Sequence, residues 1–279
     1  MDDLDLTVCI CTRDRPDSLE SAISSVVRNA PDAEIVVSDD GRDRSAASVA
    51  ARFPRCRWQP GPARGLCANR NAAVRSVTSE WLIFLDDDAE LGTEFVASAT
   101  SLLASFDADV RGRLIVTGRE RKDGRLVLPN DVDFLGFQRR PYQPGNDLRT
   151  VIINATLWPK SLFNRVQFDE HLLYGSDEVD LTYAALAAGY RIEECPDAVN
   201  DHHPSELGRE GYAANAHAAR LRATLKRHWR MERSFPRTAL FIVIAPIHLL
   251  AACLKQEGAR GLVSWLKVLR QWLSGARAK

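Results

Sequence analysis

The 279-residue sequence lacks three features that would suggest a function class at once: a net charge, a cysteine pattern and a leading apolar segment. Its six cysteines match the spacing of neither a zinc knuckle nor a disulfide framework, so we expect buried free thiols. The first residues, MDDLDLTV, are acidic and carry no apolar signal core, which predicts a cytoplasmic protein.

The balance of 37 basic and 37 acidic residues hides an asymmetry along the chain. Residues 204–279 contain 14 Lys and Arg against 4 Asp and Glu, so the preceding residues carry 23 against 33. An acidic body argues against general nucleic-acid binding, because counterion release rewards basic surfaces. The basic tail suits an anionic lipid surface instead, and we expect two surfaces with different partners.

Strand and helix patterns alternate through the first hundred residues. Short apolar runs at residues 6–11, 34–37 and 81–85 predict buried strands, with helical segments between them. This alternation predicts an α/β fold with a mostly parallel central sheet flanked by helices. From residue 110 to 150 the pattern breaks into short strands and loops.

Carboxylates follow two of these strands. Asp39 and Asp40 end the second, and the triplet at residues 86–88 ends the third, where open α/β sheets bind ligands. The first and third carboxylates of the triplet point the same way if the strand continues, so both can face one Mg²⁺ or Mn²⁺ ion. A solvated cluster ahead of the helix near Thr93 explains the triplet equally well.

A second acidic group, DEVDL at residues 177–181, opens another predicted helix that ends before Gly189. Carboxylates at a helix N-terminus are stabilised by the helix dipole, which is a purely structural explanation. The functional interpretation is a general base that takes a proton from an attacking hydroxyl. The residues alone leave both open.

Five segments match, in chain order, the motifs of one enzyme family. They are VCICTRDRP at 8–16, VVSDDG at 36–41, G-x-x-A-N-R-N at 65–71, FLDDD at 84–88, and FDE at 168–170 followed by DEVDL at 177–181. Together they resemble the inverting family 2 glycosyltransferases, which have the GT-A fold. The resemblance covers about residues 6–203, and it departs from the family pattern where Arg13 replaces a common Tyr and where Asp177-Glu178 replaces the usual Glu-Asp.

The resemblance implies roles for individual residues. The donor would be a UDP-, dTDP- or GDP-linked sugar, and a divalent metal, Mn²⁺ or Mg²⁺, would neutralise the departing diphosphate. The implied donor-binding residues are Thr12, Arg13, Asp39, Asp40, Gly65, Arg70, Asp86 and Asp87. The implied metal ligands are Asp86, Asp88 and His203, which we prefer narrowly to His202. Glu178 would be the base and Asp177 would orient the acceptor, with Asp177 as the alternative base.

The implied reaction inverts the anomeric centre and glycosylates a hydroxyl, with a lipid-linked or polysaccharide glycan as the acceptor. Two alternatives remain. A metal-dependent nucleotidyltransferase also uses paired carboxylates, but the TRDRP segment after the first strand is a poor phosphate loop. The other is a scaffold that binds nucleotide sugars without catalysis.

The tail differs from the body, and we divide the chain into a catalytic domain at 1–204 and a basic, amphipathic helical extension at 205–279. Residues 238–254 form an apolar run of 17 residues, slightly short of the roughly 20 that span a bilayer. Residues 261–273 have the spacing of an amphipathic helix. We expect a peripheral anchor on the inner face of a membrane; a helical subdomain packed on the core or in a dimer interface is the alternative.

Overall fold

The computed structural model describes residues 4–143, 145–204 and 213–274. The strands are β1 (Leu6–Thr12), β2 (Glu34–Asp39), β3 (Cys56–Pro60), β4 (Trp81–Asp86), β5 (Ala89–Glu90), β6 (Leu114–Lys122), β7 (Arg125–Val127), β8 (Asn130–Val132), β9 (Gln138–Pro141), β10 (Thr156–Pro159) and β11 (Arg191–His202). The helices are α1 (Pro16–Asn29), α2 (Ser45–Ala50), α3 (Leu66–Arg75), α4 (Phe95–Ala104), α5 (Ala108–Arg111), α6 (Asp177–Ala187), α7 (Ala213–Lys226), α8 (Phe235–Glu257) and α9 (Gly261–Ser274).

The main sheet has the strand order β3-β2-β1-β4-β10-β6-β11-β5, with β7 paired to β6. β3, β2, β1 and β4 are mutually parallel, as expected for strands joined through helices. β10 runs antiparallel to both β4 and β6, which makes the second half of the sheet mixed. The predicted α/β fold, with a central sheet, flanking helices and a C-terminal helical extension, is confirmed.

Alternating side chains of the central strands enter two cores on opposite faces of the sheet. Val8 and Ile10 of β1 pack in the core that contains α1, while Cys9 and Cys11 pack in the core that contains α3. Both cysteines are buried free thiols on one face, as predicted. Burial raises the pKa of the Cys9 thiol to about 12, so it stays protonated and acts as a small apolar side chain.

The strand register brings the carboxyl ends of β1, β2 and β4 to one edge. Thr12 pairs with Asp39 across β1 and β2, and Cys11 pairs with Asp86 across β1 and β4. The acidic groups of two separate sequence segments therefore meet at the same edge, where open α/β sheets bind ligands.

The second half of the sheet differs from the prediction. The expected strand at 151–158 is instead a 3₁₀ turn, Ile153–Ala155, followed by β10. β6 crosses the region that we interpreted as short strands and loops, and Gly118 lies within it. A side chain there would meet the Ala198 carbonyl oxygen of β11 at 2.0 Å, so this glycine permits close strand approach rather than a turn.

The C-terminal helices pack on the body through a third apolar cluster that includes Leu221, Phe241 and Leu249. α8 continues through Pro246 for 23 residues, six more than the apolar run suggested, because it includes flanking polar residues at both ends. Residues 205–212 lie outside the described part of the chain, so the predicted domain boundary between 204 and 205 stays a prediction.

Replacing Ile83 by Ala should lower the free energy of unfolding by about 2–5 kcal/mol, because Ile83 is fully buried in the centre of β4 and truncation leaves a cavity. Urea denaturation followed by circular dichroism measures this. Val27→Ala, at an exposed site on α1, is the control and should change stability by no more than about 0.5 kcal/mol. Equal effects of the two variants would contradict the packing described for β4.

Candidate active site

A buried arginine joins the two acidic groups. Arg70 lies on α3 and is 2% exposed; its Nη2 donates to Asp86 Oδ1 at 2.8 Å, and its Nη1 donates to Asp177 Oδ2. Arg70, for which the resemblance implies a place near the donor, therefore bridges the end of β4 and the start of α6. The guanidinium also faces the rings of Phe84 and Phe168, at 5.9 and 5.6 Å from their centroids.

The carboxylates of the triplet at 86–88 have different partners. Asp87 accepts from Thr12 Oγ1 at 2.8 Å and from Arg15 Nη1 at 3.2 Å, and the same Arg15 nitrogen lies 3.2 Å from Asp88 Oδ2. Burial raises the pKa of Asp87 to about 6, although the Thr12 hydrogen bond and the Arg15 charge oppose this. Asp87 is thus a buried, fully bonded group, and Asp88 is the member that also faces β11.

The histidine beside the triplet is His202. Its Nε2 lies 3.2 Å from Asp88 Oδ1, and its Nδ1 lies 2.6 Å from Glu120 Oε1, although without the alignment of a good hydrogen bond. The side chain of His203, which we preferred from the sequence, is 68% exposed and lies 3.8 Å from Glu90. The geometry favours His202, because consecutive residues at the end of an extended strand point to opposite sides.

Contacts with carboxylates control the charge of His202. Burial disfavours the charged imidazole, but the hydrogen-bonding oxygens and charges of Asp88 and Glu120 outweigh it and raise the pKa of His202 to about 9. Glu120 also accepts from Asn154 Nδ2 at 3.2 Å, and Asn154 Oδ1 accepts from the Asp86 backbone N–H at 2.9 Å. A chain of polar contacts thus runs from β11 through β6 back to β4.

Asp177 and Glu178 differ in exposure and in partners. Asp177 is buried and forms an ion pair with Arg70, whereas Glu178 is partly exposed at the first turn of α6. Although part of the residue is exposed, its carboxyl group is poorly solvated, and this desolvation, and next the neighbouring Asp177 charge, raises the pKa of Glu178 well above its ordinary value. Of the two candidate bases left open by the sequence, Glu178 is the more exposed.

The residues expected to bind the nucleoside lie at the β1–β2 end of the edge. Asp39 is buried and accepts from the Gly41 N–H at 2.7 Å and the Trp58 indole at 3.2 Å. Asp40 Oδ1 accepts from the Ala63 N–H at 2.8 Å. The Arg13 side chain is 57% exposed and lies 3.9 Å from Asp14, and its positive charge also acts on Asp40.

Gly65 precedes α3 with φ +101°, a conformation that L side chains rarely adopt, and thereby sets the direction of the helix that carries Arg70. Asn71, which follows Arg70 on α3, is also buried. Its Nδ2 donates to the Phe168 carbonyl oxygen and its Oδ1 accepts from the Phe168 N–H, both at 3.0 Å. The segment at 65–71 is therefore a structural support for both acidic groups.

Four residues of the site were not identified from the sequence: Arg15, Trp58, Glu120 and Asn154. Arg15 lies inside the motif at 8–16, so its position was a usable signal. Glu120 and Asn154 enter the site only because β10, with the 3₁₀ turn before it, lies beside β4 and β6 lies beside β10; no local pattern indicates this pairing.

A divalent ion fits the site only in part. Within residues 4–143, 145–204 and 213–274, no three or more His, Cys, Asp or Glu side chains form a group that could hold a metal. Asp88 Oδ1 and His202 Nε2 are 3.2 Å apart, close to the roughly 3 Å between adjacent ligands of an octahedral ion bound at about 2.1 Å. Asp86 Oδ1 pairs with Arg70, and a diphosphate and water would supply further ligands.

The model of the family described as Glycosyl transferase family 2 matches residues 7–172, more than half of the chain. The chain belongs to glycosyl transferase family 2. The match ends just before α6, so it includes Arg70 and the triplet at 86–88 but not Asp177 and Glu178. The family resemblance inferred from the sequence is confirmed.

Similar proteins agree with this membership. The succinoglycan biosynthesis protein ExoU of Rhizobium meliloti is 27% identical over 208 residues, which cover 68% of this chain and 59% of ExoU. The chain thus matches less than two thirds of that relative's length. Solved structures share the fold at low identity: S. aureus TarS 1–349 in complex with UDP-GlcNAc is 12% identical with a TM-score of 0.67, over 98% of this chain and 81% of that one.

GalNAc-T7, solved with UDP, GalNAc and Mn²⁺, is 15% identical with a TM-score of 0.65, over 80% of this chain and 48% of its own. At such identities the likeness establishes the fold alone, and it supports the GT-A architecture predicted from the sequence.

Replacing Arg70 by Met should lower the free energy of unfolding by about 3–5 kcal/mol, because it leaves Asp86 and Asp177 near each other without a cation. Urea denaturation measures the loss. Adding Asp177→Asn to Arg70→Met should recover part of it. Arg52→Met, which breaks an exposed pair with Glu20, should cost no more than about 1 kcal/mol; an Arg70→Met variant as stable as this control would refute the bridge.

Proposed function

We propose that this chain transfers a sugar from a nucleoside diphosphate sugar to a hydroxyl acceptor, with inversion at the anomeric carbon. One observation carries the proposal: Arg70 contacts Asp86 and Asp177 at once. The proposed donor end at Asp86 and the proposed base end beside Asp177 are therefore close together, which supports a direct displacement between a bound donor and an acceptor.

Glu178 is the proposed base. Its carboxylate takes the proton of the acceptor hydroxyl as that oxygen attacks the anomeric carbon from the side opposite the diphosphate. The bond from the anomeric carbon to the diphosphate oxygen breaks, and its electron pair leaves with the nucleoside diphosphate. Asp177, held by Arg70, positions the first turn of α6 and hence Glu178.

Asp88 and His202 are the side chains that would hold a divalent ion, Mn²⁺ or Mg²⁺, and GalNAc-T7 was solved with Mn²⁺. Such an ion would supply charge neutralisation to the departing diphosphate. Arg15, 3.2 Å from both Asp87 and Asp88, balances part of the acidic charge of the triplet. Thr12, Asp39 and Trp58 lie where the nucleoside would extend along the edge.

Similar proteins indicate which donor and which acceptor to test first. Because TarS and GalNAc-T7 were solved with UDP-containing ligands, UDP-linked sugars are the first donors to test. The ExoU relative is a succinoglycan biosynthesis protein, which supports a glycan acceptor, in our proposal a lipid-linked one at the inner face of a membrane. A nucleotidyltransferase would release pyrophosphate from a nucleoside triphosphate, and a scaffold would bind donor without hydrolysis, so one product assay separates the three classes.

Glu178→Gln should reduce sugar transfer and donor hydrolysis by about 10²–10⁴-fold while leaving the donor Kd unchanged, because the amide cannot take a proton. Turnover of UDP-sugars and donor titration calorimetry measure the two quantities. Glu20→Gln, on the outer face of α1, should behave as wild type. Wild-type turnover in Glu178→Gln together with an inactive Asp177→Asn would move the base to Asp177.

Turnover should rise with pH through the raised pKa of Glu178, because the base works only when ionised. Asp177→Asn removes a negative charge that raises this pKa, so the acidic limb of the kcat profile should move to lower pH. Profiles of kcat against pH for wild type and Asp177→Asn test the coupling. A limb that stays in place, or moves upward, would count against Glu178 as the titrating group.

His202→Ala should raise the metal concentration needed for half-maximal donor binding by about 10-fold or more, because it removes one of two side-chain ligands. His203→Ala is the matched variant next to it and should leave that concentration unchanged, since its ring lies by Glu90. Titration of Mn²⁺ at fixed UDP-sugar measures both. The reverse order of effects would restore the original choice of His203.

A further inference from the structure

The helices α8 and α9 expose an apolar face. Between Thr238 and Leu254, α8 contains no Lys, Arg, Asp or Glu, and His248 is the one exposed polar side chain of this stretch. Val243 and Ile247 on this side are 60% and 63% exposed, and Val263 on α9 is 70% exposed. Large contiguous apolar surfaces on a folded protein mark contact with a partner or a membrane.

The inward side of α8 is already occupied. Phe241 is fully buried, with its ring 6.0 Å from Phe134 and 6.4 Å from Trp272 of α9. By length and composition alone, the stretch Phe235–Leu273 could cross a membrane. If α8 spanned the bilayer, Phe241 would lose these contacts. α7 would also move towards lipid, although its Lys226 pairs with Asp180 at 2.6 Å. One face of α8 is therefore available, which suits an interfacial position.

Basic side chains precede α8, follow its apolar stretch and lie on α9. Between residues 230 and 274 there are seven Lys and Arg and two acidic residues, Glu232 and Glu257, and all seven basic residues are exposed. Glu232 is engaged internally with His228 and Arg237. The seven are Arg230, Arg233, Arg237, Lys255, Arg260, Lys267 and Arg270.

This charge pattern decides between a lipid surface and a second copy of the chain. A two-fold dimer would bring the same patch together on both subunits, and so would place like charges opposite each other. An anionic bilayer offers hydrocarbon to the apolar face and negative headgroups to its basic margin. Trp229, 55% exposed beside the N-terminal end of α8, suits the headgroup level.

We propose that the α8–α9 hairpin docks flat on the surface of an anionic membrane, with Val243, Ile247 and Val263 entering the acyl boundary and Lys267 and Arg270 contacting headgroups. The hairpin does not span the bilayer. This proposal does not depend on the glycosyltransferase reaction, since it rests on a surface formed by the C-terminal helices.

The test is flotation of the full-length protein with vesicles of phosphatidylcholine alone or mixed with phosphatidylglycerol. We expect binding to the mixed vesicles that weakens as salt rises and is much weaker to phosphatidylcholine alone. Val243→Glu with Ile247→Glu should reduce binding by at least about tenfold, because both positions enter the acyl boundary. Lys267→Glu with Arg270→Glu should reduce binding to anionic vesicles by a similar factor.

The control variant is Val27→Glu with Leu126→Glu. These two apolar residues lie outside the hairpin and are 43% and 45% exposed, so this variant should bind vesicles as wild type does. All substituted positions are exposed, and urea transitions matching wild type check that each variant folds. Bound protein should exchange to a second, unlabelled vesicle population on mixing; failure to exchange would indicate a spanning helix and overturn the proposal. No binding to anionic vesicles, together with a dimer that Val243→Glu and Ile247→Glu dissociate, would assign the surface to a second copy instead.

Discussion

A guanidinium buried to 2% exposure is the constraint on which the site depends. Removing Arg70 from water is unfavourable unless carboxylates and hydrogen bonds compensate, and Asp86 and Asp177 supply them from β4 and α6. Each carboxylate in turn needs the cation, because the two would otherwise repel each other in a poorly solvated space. The end of β4 and the start of α6, which are distant in sequence, are thereby held at a fixed distance from each other. The donor and acceptor sides of the proposed reaction are held in place by the same contact.

The mixed half of the sheet supplies the second wall. β6 and β11 pair in parallel, and their ends bring Glu120 and His202 together beside Asp88. Asn154 closes the set by bonding both Glu120 and the backbone of Asp86. Because these polar groups are buried or nearly so, their contacts within the set replace contacts with water, and the triplet at 86–88 is a bonded part of the fold rather than a solvated turn.

The C-terminal helices belong to the same packed body as the site. Lys226 of α7 bonds Asp180 on the helix that carries Glu178, and Lys226 and Arg222 both approach Asp169 at 3.4 and 3.1 Å. Burial acts against ionisation of Asp169, but these cations and the bonds from His171 hold its pKa well below the usual range. A surface on α8 and α9 therefore has a fixed orientation relative to α6, so a docked hairpin would present the site to the membrane in one direction.

The amino-acid sequence by itself determined β1, β2 and β4, the acidic residues at their ends and the amphipathic α9. These features follow from the spacing of apolar residues and from turn-forming residues, which are local properties of the chain. It did not determine the roles of Arg70, Glu120 and His202. The direction in which Arg70 points depends on α6, more than a hundred residues away, and β11 acquires its position only by pairing with β6. The structure places His202 beside Asp88 and His203 beside Glu90, because consecutive residues of a strand point to opposite sides, and it pairs Asp177 rather than Glu178 with Arg70. Tertiary structure decided these contacts because each joins segments that share no local signal.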